Sequence, residues 1–130
     1  MGKGIIRFVR SHRGQSMIEF ALVAPLLLGV MIGIAEFGRA WMTNNTCTSA
    51  AREAARVAAV SAGDLIAAYA RANVMLNSAG LTPTSVNVNI NPTTRVVTAT
   101  VNVTFVSVVG GFIGLGNIPL TGQTTMRWEN

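Results

Sequence analysis

Residues 13–35 read RGQSMIEFALVAPLLLGVMIGIA, and this segment combines a long apolar run with one carboxylate. From Phe20 to Ala35 it is uncharged and largely apolar. With Met17–Ile18 before it and Phe37–Met42 after it, the run is long enough for a membrane-spanning helix, which needs roughly 20 residues. Glu19 places a carboxylate within this helix, where a charge costs roughly 2.5–3.5 kcal/mol at the bilayer centre and less near the interface. We therefore expect Glu19 to have a partner.

The chain before this stretch is a basic leader, Met1 to Gly14. Its cations, which have no acidic residue among them, are Lys3, Arg7, Arg10 and Arg13. From Gln15 onward the charges are close to balanced, so the net charge of +5 belongs mainly to the leader. This asymmetry predicts a cytoplasmic N-terminus and an outer domain beyond the membrane, with Trp41 at the far interface. It does not indicate a nucleic-acid partner, because no basic and aromatic platform accompanies it.

The first helix is predicted to continue beyond the membrane to Val60. A polar patch at Thr43–Thr46 is expected to soften or kink it. The following residues carry a face of small side chains at helical spacing, formed by Ala51, Ala54, Ala55, Ala58 and Ala62. A single helix from Gln15 to Val60 would be roughly 70 Å long. Asp64 is predicted to cap a second helix, Leu65 to Ser78, which Gly80 ends.

The second half of the chain changes to strand patterns. Residues 85–91 alternate, with Val86, Val88 and Ile90 on one face, and Asn91–Thr94 is a predicted turn. The next strand has an apolar face formed by Val97, Ala99, Val101, Val103 and Phe105. Gly110–Gly116 is expected to be a flexible apolar loop before a last strand, Leu120 to Trp128. The predicted fold class is α+β, with a long N-terminal helix, a short second helix and an antiparallel sheet of about three strands.

The residues needed for common catalytic and metal sites are absent from the sequence of the outer domain. His12 is the only histidine and lies in the leader, which excludes a Ser-His-Asp or Cys-His arrangement. The single cysteine, Cys47, allows neither a zinc site nor an intrachain disulfide. It is interpreted as a small helix residue or as the source of an intermolecular bond. We therefore expect a non-enzymatic protein with no cofactor and no metal.

Two motifs point to a known family. Gly14, followed by Gln15–Ile18 and then Glu19-Phe20, resembles the class III signal of type IV pilin-like proteins of the Tad (Flp) system. Farther along the helix, the alanine-arginine motif at Ala51–Arg56, with Arg52, Glu53 and Arg56, resembles the TadE-like family of minor pilins. Family members often carry tyrosine where this chain has Phe20, a change that keeps the aromatic ring.

This resemblance implies a pilin-like α+β protein that is processed and assembled. A prepilin peptidase would cut between Gly14 and Gln15 on the cytoplasmic side. The chain would then meet other pilin or pseudopilin subunits, the inner-membrane pilus assembly platform and membrane lipid. Its expected parts are a leader (1–14), a transmembrane and assembly helix (15–42) and an extracytoplasmic TadE-like domain (43–130). The expected location is the bacterial inner membrane, in a single pass, with incorporation into a surface pilus.

The residues suggest how such subunits would associate. Cleavage exposes the amino group of Gln15, and Glu19 of a neighbouring subunit can pair with it inside an apolar filament. A glutamate that merely lies near the headgroups is the alternative. Small residues recur at intervals of four along the helix, at Ala21, Pro25, Gly29 and Gly33. Such stripes allow close helix packing, although ordinary membrane-helix composition predicts the same residues.

Two other functions stay open at this point. One is a permanently anchored scaffold protein of an envelope secretion machine. The other is a secreted domain released by signal peptidase at Gly38-Arg39-Ala40, which would begin near Trp41. The arginine at the centre of that site and the missing catalytic residues argue against the second alternative.

Overall fold

The computed structural model describes residues 12–61, 63–114 and 116–128. The predicted leader therefore lies mostly outside the described residues, as does Ala62. The elements, in chain order, are α1 (His12–Val60), α2 (Leu65–Ser78), β1 (Pro83–Asn91), β2 (Val96–Phe105), α3 (Val108–Ile113) and β3 (Ile118–Arg127). The predicted α+β class, with its long apolar N-terminal helix, short second helix and three-stranded antiparallel sheet, is confirmed.

The chain divides into two compact units, Met1–Ile34 and Ala35–Asn130. The described part of the first unit, residues 12–34, is entirely helical. Its large apolar side chains are exposed, Phe20, Leu26 and Ile34 among them. Over the described residues, α1 is the one helix that is long and apolar enough to cross a membrane. The end of the membrane segment at Met42 stays a prediction.

In the second unit, α1 continues through the polar patch at Thr43–Thr46. The hydroxyl of Thr43 donates to the carbonyl of Arg39 at 2.9 Å, and that of Thr46 donates to the carbonyl of Met42 at 3.0 Å. These bonds to the preceding turn satisfy the hydroxyls along the helix. The patch therefore does not end α1, which continues to Val60.

The core lies between the sheet and the small-residue faces of the two helices. The strands are antiparallel in the order β1-β2-β3, so β2 is central. Its predicted apolar face is confirmed, because Val97, Ala99, Val101, Val103 and Phe105 are all buried. The buried helix residues are Cys47, Ala50, Ala51, Ala54, Ala55 and Ala58 of α1, and Ala68, Ala72 and Leu76 of α2. Small side chains on α1 allow its backbone to come close to the sheet.

The backbone of α1 comes very close to the sheet at Gly122 in β3. A Cβ atom placed on Gly122 would lie 2.3 Å from the carbonyl carbon of Cys47 and 2.4 Å from the amide nitrogen of Thr48. Only glycine allows this contact, because both of these neighbours are backbone atoms that cannot move aside. Gly122 therefore sets the distance between β3 and α1.

The predicted ends of α2 are confirmed. The carboxylate of Asp64 accepts a hydrogen bond from the amide of Ala67 at 3.1 Å, as an N-cap residue does. At the other end Gly80 has φ +71°, a conformation that glycine adopts without strain. There the amide of Leu81 donates to the carbonyl of Leu76 at 2.9 Å. The side chain of Asp64 therefore caps the start of α2, and the left-handed backbone of Gly80 ends it.

The expected flexible loop at Gly110–Gly116 is wrong over residues 110–113, which belong to α3. The hydroxyl of Ser107 accepts from the amide of Gly110 at 2.9 Å, which caps the start of this short helix. Gly114, with φ +73°, ends it in the left-handed conformation. The strand bounds also differ slightly, since β3 begins at Ile118 rather than Leu120 and ends at Arg127 rather than Trp128.

Candidate functional site

The predicted cleavage site lies in an exposed part of α1. Gly14 and Gln15 are both exposed and helical. No atom outside the adjacent backbone lies within 4 Å of where a Cβ on Gly14 would be. A glycine within a helix costs up to about 1 kcal/mol relative to alanine. Because the fold of the described residues does not require a glycine here, its presence favours recognition by another molecule. Cleavage itself stays a prediction.

Glu19 and Phe20 are also exposed on α1. The ion pairs among the described residues involve Glu36 and Glu53, and none of them includes Glu19. The structure of a single chain therefore brings no cation of the described residues to Glu19. The described residues thus leave the partner of Glu19 open, and the predicted pairing with Gln15 of a neighbour remains a hypothesis.

The small residues predicted to pack against other helices, Ala21 to Gly33, lie on the exposed part of α1. Pro25 lies inside the helix without ending it. Ala21 is exposed, and Cβ atoms placed on Gly29 and Gly33 would meet nothing within 4 Å. These small side chains are therefore not needed for packing within the described chain. This leaves them free to contact a neighbouring helix or lipid.

The alanine-arginine motif forms a charged bridge between α1 and α2. The guanidinium of Arg56 donates two hydrogen bonds to Glu53, from Nε to Oε2 at 3.0 Å and from Nη2 to Oε1 at 2.7 Å. Arg71 of α2 donates from Nε to the same Oε1 at 3.1 Å. The side chain of Arg52, the third motif residue, is exposed. Glu53 and Arg56 therefore form, with Arg71, an ion-pair bridge that joins α1 to α2.

These contacts also determine the charge of Glu53. The hydrogen bonds from Arg56 and then Arg71 lower the pKa of the Glu53 carboxyl to about 2. They favour the ionised form because each donor is a cation that loses its partner when the carboxyl is protonated. Glu53 raises the pKa of Arg56 in return. The bridge is therefore fully charged at neutral pH.

A second cluster around Glu36 was not predicted from the sequence. Its Oε2 accepts a hydrogen bond from the amide of Val108 at 3.0 Å, and its Oε1 pairs with Nη1 of Arg39. The guanidinium of Arg39 also lies over the ring of Phe105, 5.3 Å from its centroid. Glu36 thus attaches the start of α3 to α1. The three-residue spacing of Glu36 and Arg39 was a visible signal for the ion pair, but nothing local indicates Val108.

The thiol of Cys47 is completely buried, and this burial raises its pKa. A buried thiol with a raised pKa is a poor nucleophile, because the thiolate is the reactive form. The position favours the small core residue over the intermolecular bond. Over residues 12–61, 63–114 and 116–128, no group of three histidine, cysteine, aspartate or glutamate side chains is placed to hold a metal ion.

Comparison with known proteins identifies the part of the chain that carries the predicted likeness. A family model described as TadE-like protein matches residues 14–56, about a third of the chain. No curated protein and no solved structure matches. The matched segment begins at Gly14 and ends at Arg56, so it includes the predicted cleavage glycine, Glu19 and the alanine-arginine motif. The resemblance inferred from the sequence is confirmed, and residues 14–56 form a TadE-like segment, consistent with a TadE-like protein of the Tad pilus system.

Proposed function

We propose that this chain is a minor pilin or pseudopilin subunit for the assembly of a Tad-type pilus, processed by a prepilin peptidase after Gly14. One observation carries the proposal: the TadE-like match begins at Gly14 and continues into an apolar helix that the chain does not bury. Such a protein acts by assembly, as a substrate of a peptidase rather than as an enzyme, and it needs no cofactor.

The proposed location is the bacterial inner membrane. The long apolar helix fits a single-pass protein. The cations before Gln15 favour a cytoplasmic N-terminus, with the domain from residue 43 onward outside. In this orientation the Gly14–Gln15 bond lies on the cytoplasmic side, where the proposed peptidase acts.

The exposed helix supports a change of surroundings during assembly. Before assembly, lipid covers the apolar side chains between Phe20 and Ile34. After extraction, equivalent helices of other subunits take the place of lipid, and the small residues at Gly29 and Gly33 allow their close approach. Glu19 then pairs with the new amino group of Gln15 on a neighbour, so that neither charge is left alone in an apolar core.

The test is the N-terminus of the mature protein, measured by mass spectrometry on protein recovered from its native host. Wild type should begin at Gln15. Gly14→Leu should keep the leader, because a bulky side chain blocks the cut. Gly29→Leu is the matched control, since it also fills an open glycine position on α1, and it should still be cleaved. A working wild-type protein that begins at Met1 would contradict the proposal.

Fractionation separates the remaining alternatives. A processed chain in sheared surface filaments supports the pilin, whereas a chain found only in the inner membrane supports the permanently anchored scaffold. A mature protein that begins near Trp41 would indicate a secreted domain. That product would lose Glu36 and with it the hydrogen bond to Val108, which is a structural argument against signal-peptidase release.

A further inference from the structure

We propose that the described residues of the segment 106–118, called here the α3 segment, form a second membrane contact and lie against the leaflet that faces the outer domain. The inference rests on the membrane anchoring proposed above, but it requires neither cleavage nor filament assembly. The contact would keep the outer domain at a fixed distance from the bilayer as long as the protein is anchored in the membrane.

The α3 segment is apolar and uncharged. Residues 106–118 contain no aspartate, glutamate, lysine or arginine. The side chains of Val106 and Val108 are each 60% exposed, and that of Ile118 is 44% exposed. Apolar side chains that cluster on a surface without charges are typical of a contact with a partner or a membrane.

A hydrogen bond to Glu36 fixes the position of the segment on α1. The amide of Val108 donates to Oε2 of Glu36 at 3.0 Å. Glu36 comes two residues after Ile34, the last large residue of the exposed apolar run. Two residues of helix advance by only about 3 Å. The α3 segment is thus attached to α1 six residues before Met42, inside the last two turns of the predicted membrane segment.

The side chains around this attachment also fit a membrane interface. Both carboxylate oxygens of Glu36 have partners, Arg39 and the amide of Val108, as a carboxylate close to lipid requires. Phe37 and Trp41 are exposed, with ring centroids 6.1 Å apart. Exposed aromatic rings and an arginine over an aromatic face are the residues that membrane proteins place at the interface.

Lipid explains this surface better than a second copy of the chain does. Protein interfaces carry a polar rim with about one hydrogen bond per 100–200 Å². Within residues 106–118 the polar side chains are only Ser107 and Asn117, and the hydroxyl of Ser107 already accepts from Gly110. A lipid surface needs no directional partners, and Glu36, which binds the amide of Val108, belongs to the predicted membrane segment, residues 15–42.

The test uses the full chain in lipid nanodiscs with a single labelled cysteine. In a Cys47→Ala background, a polarity-sensitive fluorophore is attached at Val108→Cys, and quenching by spin-labelled phospholipids is measured. Ile66→Cys is the matched control, because Ile66 is an apolar residue of α2 that is 82% exposed. Leu26→Cys reports on the proposed span. Val106→Cys repeats the measurement outside α3, in case a label at residue 108 disturbs the helix.

We expect quenching at residues 106 and 108 to be several-fold stronger than at residue 66, with emission shifted to the blue. If Leu26 is quenched while residues 106 and 108 behave like residue 66, the inference fails and the membrane anchoring stands. If Leu26 is also unquenched, anchoring and inference fail together. A blue shift at residue 108 without quenching by lipid indicates a protein partner, such as a second copy, and also overturns the inference.

Discussion

Gly122 of β3 lies directly against the backbone of Cys47 in α1. A Cβ atom on Gly122 would come within 2.3 Å of the carbonyl carbon and 2.6 Å of the carbonyl oxygen of Cys47. On the helix side, Cys47 and Ala51 are buried residues with short side chains. The close packing of the outer unit therefore depends on a missing side chain in the strand and small ones in the helix.

Gly122→Ala should destabilise the outer unit strongly. Both backbones must separate to admit the methyl group, and overpacking of this kind costs typically ~1–3 kcal/mol, occasionally more. We expect the upper end of that range, because the neighbours are main-chain atoms. Denaturant unfolding of the full chain in detergent, followed by circular dichroism, measures the loss.

Gly116→Ala is the control for this prediction. A Cβ at Gly116 would meet nothing within 4 Å, and its φ is not in the left-handed region. Its effect should stay within about 0.5 kcal/mol, as for most surface substitutions. If Gly122→Ala unfolds at the same denaturant concentration as Gly116→Ala, the close contact of β3 with α1 is absent in solution.

The charged bridge at Glu53 makes stability depend on pH. The carboxyl has a pKa of about 2 in the folded protein, below the ordinary value of 4.5 for an unpaired group. A depressed pKa in the folded state means that the contribution of Glu53 is complete above about pH 4.5 and is lost as the pH falls toward 2. Glu53→Gln should therefore lower the melting temperature by a few degrees at neutral pH and by progressively less in acid.

Arg71→Gln and Arg52→Gln separate the bridge from general charge effects. Arg71 joins α2 to Glu53, whereas the exposed Arg52 neighbours Glu53 in sequence. The first substitution should reproduce part of the Glu53→Gln effect, and the second should not. A difference between wild type and Glu53→Gln that is constant from neutral pH to pH 2 would show that the ion pair does not produce it.

Glu36 should hold α3 in place. Glu36→Leu removes the acceptor of the Val108 amide and the partner of Arg39, so we expect faster hydrogen exchange in residues 107–111. Glu36→Gln keeps an acceptor oxygen and should exchange at an intermediate rate. Glu19→Leu is the control elsewhere on α1. Equal exchange of residues 107–111 in all three variants would show that α3 forms without Glu36.

Local signals in the sequence were sufficient for most of the fold. Asp64 and Gly80 mark the ends of α2, and the alternation around Val101 marks a buried strand, because each depends on neighbours within a few residues. The glycines after Val109 suggested a flexible loop, but Gly110 and Gly111 lie in α3. Their helix depends on the Ser107 cap and on Glu36, which lies 72 residues away from its hydrogen-bond partner.

Contacts between distant segments were the part that the sequence did not reveal. Glu53 and Arg56 were identified only as residues of a family motif, and Arg71 joins them because α2 packs beside α1. In the sequence nothing distinguishes Gly122 from another strand glycine, and only the structure shows that it lies against the backbone of Cys47. For the candidate site, the sequence identified Gly14 and Glu19 by their pattern, and a single chain does not contain the neighbour that would test the pairing.

Glu19→Ala should be cleaved normally and yet assemble poorly. The substitution leaves Gly14 and Gln15 unchanged, so the peptidase site is intact. Loss of the Glu19 carboxylate would leave the amino group of a neighbouring Gln15 without a counter-ion in an apolar filament. Removing one member of a buried pair costs roughly 3–5 kcal/mol. The yield of sheared filaments and the mass of the mature N-terminus measure the two steps separately. Glu19→Asp, which keeps the charge, should recover part of the yield. A normal filament yield from Glu19→Ala would show that the carboxylate does not pair during assembly.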